Sequence, residues 1–282
     1  MHQTLINAEV LQESLGKADI RIIDCRFSLA DKESGRRDYE VSHIPGAIYA
    51  HLDDDLSGEI IPGTTGRHPM PSVADFAELC STWGINEDTQ VVAYDQGHGG
   101  IAARLWFMLQ WLGHEKVAVL NGGWAHWEKM GLPVDSEIAV PERSEFQPAS
   151  PKNSLVEAGD LLHLQQEDNW LLVDSRAAER YRGEKEPIDP VAGHIPGAVS
   201  APFAGNLNSD GLFHDRAALE QRFDTLLGEQ ELSQTAFYCG SGVTACHNLL
   251  ALHHIGRTEA KLYAGSWSDW ITDTSRPIAT GK

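Results

Sequence analysis

The chain contains an imperfect copy of itself, and this constrains its fold more than any single motif. Ile22-Ile23-Asp24-Cys25-Arg26 returns as Leu172-Val173-Asp174-Ser175-Arg176, with Asp24 and Asp174 150 positions apart. His43-Ile44-Pro45-Gly46-Ala47 returns as His194-Ile195-Pro196-Gly197-Ala198, and Trp124 and Trp127 return as Trp267 and Trp270. A period this long means two homologous domains rather than a solenoid of short repeats. The 282 residues suit two domains of ordinary size, and 41% hydrophobic content can fill two cores.

Within each half, short apolar or β-branched runs alternate with helical patterns. The strand candidates are Ile20–Asp24, Ala47–Ala50, Val91–Tyr94 and Val117–Leu120, then Leu171–Asp174, Ala198–Ala201, Thr235–Tyr238 and Lys261–Tyr263. Such alternation predicts an α/β fold, each domain a mainly parallel sheet flanked by helices. Ser72 with Asp75, and Ser154 with Glu157, have the form of helix-capping boxes. Residues 136–153, rich in proline, acidic and small residues, read as an extended connector between domains 1–135 and 154–282.

The two copies differ at one place that matters for chemistry. Val91–Gly97 occupies the place of Ala236–Gly242, so Asp95 stands where Cys239 stands. In the second copy, Cys239-Gly240-Ser241-Gly242-Val243-Thr244 joins a strand to the helical run from Ala245. Backbone N–H groups converge at such a loop and the following helix dipole is positive there. Settings of this kind bring a cysteine pKa to roughly 3.5–7.5. Gly240 and Gly242 let the backbone approach a bound group closely. Cys25, Cys80 and Cys246 lack such a setting and read as structural.

A formal charge of −19 at pH 7 disfavours nucleic acid or an anionic membrane as partner. No apolar run approaches the ~20 residues that span a bilayer. The N-terminus lacks a charged segment followed by an apolar one, and four irregularly spaced cysteines make no disulfide framework. A cytoplasmic, reducing location is the expectation. His253-His254 is not at ligating helical spacing, so neither a metal nor any other cofactor is expected.

The paired Asp-x-Arg and His-Ile-Pro-Gly signatures and the Cys239 loop resemble the tandem rhodanese family, most closely its 3-mercaptopyruvate sulfurtransferase branch. The resemblance runs from about Leu5 to Trp270. It implies an inactive first domain and a second that carries sulfur as a cysteine persulfide, with a small-molecule sulfur donor. Thioredoxin or a small thiol, or cyanide in an assay, would accept the sulfur. A phosphatase of related fold would need Cys-x5-Arg to clamp phosphate, but Ala245 stands in the arginine's place. Thiosulfate rhodaneses typically carry basic residues just after the cysteine, whereas Gly240 and Ser241 are neutral. Thiosulfate:cyanide transfer by the same cysteine, and a non-catalytic persulfide carrier, stay as alternatives.

The resemblance further implies that Ser241 joins a His–Asp pair from the other domain, here His68 and Asp53. An imidazole oriented by a carboxylate can hold a serine hydroxyl ready for proton transfer. Of Asp53, Asp54 and Asp55, Asp53 fits the spacing from His43 best. The three also read as a solvated acidic loop, and His68, before Pro69, as a surface residue. Arg180 matches the family's substrate arginine, whose planar fork suits a carboxylate. The family's second arginine is absent: Ile188 stands in that stretch, with Arg182 as a weaker substitute. Surface pairing with Glu179, Glu184 or Glu186 is the competing role for both arginines. Gly240, Gly242, Val243 and Thr244 complete the expected binding loop. His43, His194, Asp24, Asp174, Arg26 and Arg176 occur in both halves without a duplicated cysteine, so they read as structural, and the paired tryptophans read as packing residues.

Overall fold

The computed structural model describes residues 1–152, 154–164 and 170–281. Two compact units are present. The first comprises Met1–Gly58, Met70–Lys152 and Ser209–Phe213, and the second Glu59–Pro69, Asn153–Asn208 and His214–Lys282. The loop Glu59–Pro69 therefore belongs with the second unit, although it precedes the connector in sequence.

The first unit runs β1 (Leu5–Ile6), α1 (Ala8–Gln12), β2 (Ile20–Asp24), α2 (Ser34–Val41), β3 (Ala47–Tyr49), α3 (Val73–Thr82), β4 (Gln90–Tyr94), α4 (Ala102–Trp111), β5 (Val117–Leu120) and α5 (Gly123–Lys129). The second runs β6 (Leu155–Val156), α6 (Ala158–Leu164), β7 (Leu171–Asp174), α7 (Ala178–Tyr181), β8 (Val199–Ser200), α8 (Arg216–Leu227), β9 (Thr235–Tyr238), α9 (Ala245–His254), β10 (Lys261–Tyr263) and α10 (Ser266–Trp270). The sheet orders are β1-β5-β4-β2-β3 and β6-β10-β9-β7-β8, with every strand pair parallel. Both units are the expected parallel α/β sheet. Strands covered on both faces need continuous apolar runs, and Thr235–Tyr238 is buried throughout.

Two sequence expectations change. Each sheet has a further two-residue strand, β1 and β6, too short to show a period of two. Ser154–Glu157 does not cap a helix, because Leu155 and Val156 pair with β10 and α6 starts only at Ala158. Ser72 does cap α3, its hydroxyl accepting from the Asp75 N–H at 3.1 Å. The residues of the proline-rich connector are pinned to the first unit: Phe146 is buried, its N–H reaching Ser81 Oγ, and Ala149 N–H reaches the Leu112 carbonyl.

The repeated motifs hold strand ends to turns. Arg26 clamps Asp24 from β2 with Nε and Nη2, gives its Nη2 also to the Ser42 carbonyl, and lies over the Trp124 ring. Arg176 does the same with Asp174, the Gly193 carbonyl and the Trp267 ring. His43 stacks on Tyr39 and His194 on Tyr181, each bonding that tyrosine's carbonyl. Trp127 and Trp270 are fully buried in their respective cores. These residues are structural, as their duplication predicts.

Candidate active site

β9 is interior to its sheet, and the strand order reverses between β7 and β9, the crevice where open α/β sheets bind ligands at strand carboxyl ends. Cys239 is the first residue past β9, and α9 begins six residues later. The loop between them is turned inside out by α10. Trp267 N–H donates to the Cys239 carbonyl at 3.0 Å and Ser268 N–H to that of Gly240 at 2.9 Å. With carbonyls drawn outward, the amides turn inward onto the sulfur.

Cys239 is 2% exposed. Burial alone would push its thiol up, but the Thr244 hydroxyl and the N–H groups of Ser241, Ala245 and Val243 outweigh it and hold the pKa below the ordinary value. Burial has the upper hand elsewhere: it drives the thiols of Cys25 and Cys80 well above the usual range. Of these three, only Cys239 has surroundings that favour the charged form; at Cys25 and Cys80 burial disfavours it. All four cysteines are buried, and none is in a disulfide.

The first unit supplies its own control. Asp95, after β4, accepts from Gly97 and Gly99 N–H on Oδ1 at 3.0 and 2.9 Å, and from Ile101 N–H on Oδ2 at 2.9 Å. These donors stand two, four and six residues on, as Ser241, Val243 and Ala245 do from Cys239. Trp124 N–H likewise donates to the Asp95 carbonyl at 2.9 Å. The same cradle thus holds a carboxylate in one unit and a sulfur in the other.

Gly242 has φ +73, and a Cβ there would collide with the Ala264 carbonyl oxygen. Ser266, at φ 56, is the one non-glycine residue with positive φ among the described residues. Its hydroxyl accepts from Cys239 N–H at 3.1 Å and donates to the Tyr263 carbonyl at 2.9 Å. Sequence reading missed Ser266, although the repeat carried a signal: its counterpart is Gly123, at φ 54.

Ser241 and His68 come together. His68 Nδ1 lies 2.7 Å from Ser241 Oγ, and both side chains are buried. The loop Glu59–Pro69 is tied down next to His68, where Arg67 N–H donates to Ser268 Oγ at 3.0 Å. Asp53 belongs to the first unit, where it pairs with Lys32 at 2.6 Å. Asp54 is mostly exposed beside His51, and Asp55 caps the His51 N–H.

Arg180 reaches the cysteine loop. Its Nη1 and Nη2 lie 3.5 Å from the position a Cβ on Gly240 would take. Nε and Nη2 bind Glu186, and Nη2 also binds Asp189 at 3.0 Å. Burial favours the neutral acid at Glu186, yet Arg180 and the Asp189 and Ile188 N–H groups hold its carboxyl below the usual range. Arg182 instead forms a two-pronged pair with Glu184 and is partly exposed. Glu186 and Asp189 were not legible as site residues in the sequence.

A buried cysteine ringed by N–H donors at the end of a parallel strand, beside a Ser–His pair, is an arrangement suited to thiol-based group transfer. A Rhodanese-like domain matches residues 7–130 and again 157–273. The chain belongs to the rhodanese family and is a sulfurtransferase of the 3-mercaptopyruvate sulfurtransferase-like kind. It is 47% identical over 278 residues, covering 98% of both chains, to a probable 3-mercaptopyruvate sulfurtransferase of Pseudomonas aeruginosa. A putative thiosulfate sulfurtransferase of Mycobacterium tuberculosis is 36% identical over 99% of this chain and 98% of its own. The structure of 3-mercaptopyruvate sulfurtransferase from Leishmania major superposes with TM-score 0.87 at 30% identity, over 98% of this chain and 76% of that one. No helix among the described residues is long and apolar enough to cross a membrane.

Proposed function

We propose that the protein moves sulfur from 3-mercaptopyruvate to a thiol acceptor, releasing pyruvate. The observation that carries this reading is the 2.7 Å contact between His68 Nδ1 and Ser241 Oγ, two residues from the thiolate. A proton relay is what a carbon leaving group needs, whereas sulfite leaves thiosulfate without one.

In the first step the Cys239 thiolate attacks the donor sulfur, an S–S bond forms and the C–S bond breaks, its electron pair leaving as the pyruvate enolate. The donor's thiol proton is lost as the persulfide ionises, and the enolate carbon gains a proton through Ser241 and His68. Arg180 holds the donor carboxylate. The N–H groups of Ser241, Val243 and Ala245, with the Thr244 hydroxyl, stabilise the persulfide anion as an oxyanion hole does. In the second step an acceptor thiolate, from thioredoxin or a small thiol, takes the outer sulfur and Cys239 leaves as thiolate.

Thiosulfate is the second reading. The loop side chains are neutral, but Arg67 and Arg180 bring two cations to Gly240, and these suit a dianion too. Two measurements decide. Mass spectrometry after mercaptopyruvate treatment should show one added sulfur atom on the Cys239 peptide, absent in Cys239→Ser. Donor choice is read from kcat/KM on one preparation, and a thiosulfate advantage of about tenfold would overturn the mercaptopyruvate assignment.

A further inference from the structure

Two guanidinium groups converge on Gly240, and one of them, Arg67, was given no role in the sequence reading. Arg67 Nη2 lies 3.2 Å, and Arg180 Nη1 3.5 Å, from the point a Cβ on Gly240 would occupy. Both arginines are tethered to one carboxylate: Arg67 Nη1 binds Asp189 Oδ1, and Arg180 Nη2 binds Asp189 Oδ2 at 3.0 Å. Asp189 is 2% exposed on its side chain, so it acts as a fixed internal bracket. Glu186 fixes Arg180 further through Nε and Nη2.

The tethers leave particular donors over. Arg67 uses Nη1, and its Nη2 has no partner among the described residues; Arg180 uses Nε and Nη2, and its Nη1 has none. Both unused terminal nitrogens lie against Gly240, beside Arg180 Nη2, which is also 3.5 Å from that Cβ position but is already bound to Glu186 and Asp189. Arg67 Nε is also buried without a partner. Held guanidinium forks with spare N–H groups aimed at one place make a carboxylate site, because their rotamers are fixed before the ligand arrives. Ile188 cannot contribute a charge, and Arg182 is spent on Glu184.

We propose that Arg67 is the second substrate-binding cation, standing in for the arginine missing at Ile188, and that the donor carboxylate sits over Gly240 between Arg67 Nη2 and Arg180 Nη1. This rests on the mercaptopyruvate reading of the site. One short loop then delivers both functions, Arg67 gripping the carboxylate while its neighbour His68 holds Ser241.

The test compares two donors in single preparations of wild type, Arg67→Met and Arg67→Lys: 3-mercaptopyruvate, and mercaptoacetone, which has the same thiol and ketone without the carboxylate. Cyanide serves as acceptor. Arg67→Met should lower kcat/KM for mercaptopyruvate roughly 10- to 100-fold, the range for losing a hydrogen bond between charged groups. The loss should fall mainly on KM, and mercaptoacetone turnover should change less than about threefold. Arg67→Lys should recover part of the preference, since it restores charge without the fork. Because the readout is a ratio within one preparation, partial misfolding does not mimic the effect. Equal losses on both donors would mean that Arg67 merely positions His68, and an unchanged ratio would also overturn the assignment. A wild type that turns over thiosulfate but releases no pyruvate from mercaptopyruvate would overturn the underlying reading, and the Arg67 assignment with it.

Discussion

His68 Nδ1 and Ser241 Oγ lie 2.7 Å apart although 173 positions separate them in the chain. Residues that act as one relay lose activity together rather than additively. Ser241→Ala and His68→Gln should each lower mercaptopyruvate turnover by roughly 100-fold, the lower end for lost proton transfer. The double variant should be little worse than either. Thiosulfate turnover should fall much less in all three. Equal losses on both donors in steady-state assays would remove the proton-relay role.

The Thr244 hydroxyl is a side-chain donor that helps to hold the Cys239 pKa down. It favours the charged form, so Thr244→Val should raise the Cys239 pKa. Iodoacetamide alkylation of the native protein, followed against pH, reads this directly. In wild type, Cys239 should react at pH values where an ordinary thiol of pKa ~8.5 is largely protonated. The variant should react severalfold more slowly near neutrality and match wild type at high pH, where both are ionised. Cys25 and Cys80 should stay unmodified across the neutral range.

Gly242 and Gly197 share a left-handed backbone, φ +73 and φ +79, within the same unit, but only Gly242 meets the Ala264 carbonyl oxygen. Gly197→Ala should cost about 1 kcal/mol for conformation alone. Gly242→Ala should cost at least about 2 kcal/mol more, because the loop must move away from α10. Denaturant melts of the two variants measure the difference, and equal costs would show that the collision is relieved cheaply.

Ser266 carries its strain in order to place a hydroxyl against the Cys239 N–H. Ser266→Ala keeps the unfavourable φ and strands a buried donor, a cost of about 1–3 kcal/mol. Ser266→Gly strands the same donor but relieves the backbone, as Gly123 does in the first unit. The glycine variant should therefore be the more stable of the two, reversing the usual order of alanine over glycine in a helix-start position. Thermal melts decide the order.

Much of this was written in the sequence in a form that elementary rules could read. Thr235–Tyr238, Leu171–Asp174, Ile20–Asp24 and Val117–Leu120 are strands at the expected residues, because strands covered on both faces by helices leave short, largely apolar runs in the sequence. Cys239 stood out because the strand, the glycines and the following helix are local in sequence. What escaped was set by contacts between distant segments. Leu5–Ile6 and Leu155–Val156 become strands only by pairing with β5 and β10. Arg67 and Asp189 are ordinary surface residues until a loop 122 positions away brings them together. That Glu59–Pro69 belongs with the second unit follows from bonds such as Arg67 N–H to Ser268, 201 residues apart, and no local pattern encodes those.

The Asp95 carboxylate fills its own nest of amides, so the first unit can never host a visiting anion there. By the same logic the second nest demands a permanent negative occupant, chemistry or no chemistry. Emptying it with Cys239→Ala would orphan buried N–H groups and confuse lost turnover with lost folding. The swap Cys239→Asp, copying what the other half already tolerates, would be the better-behaved dead enzyme.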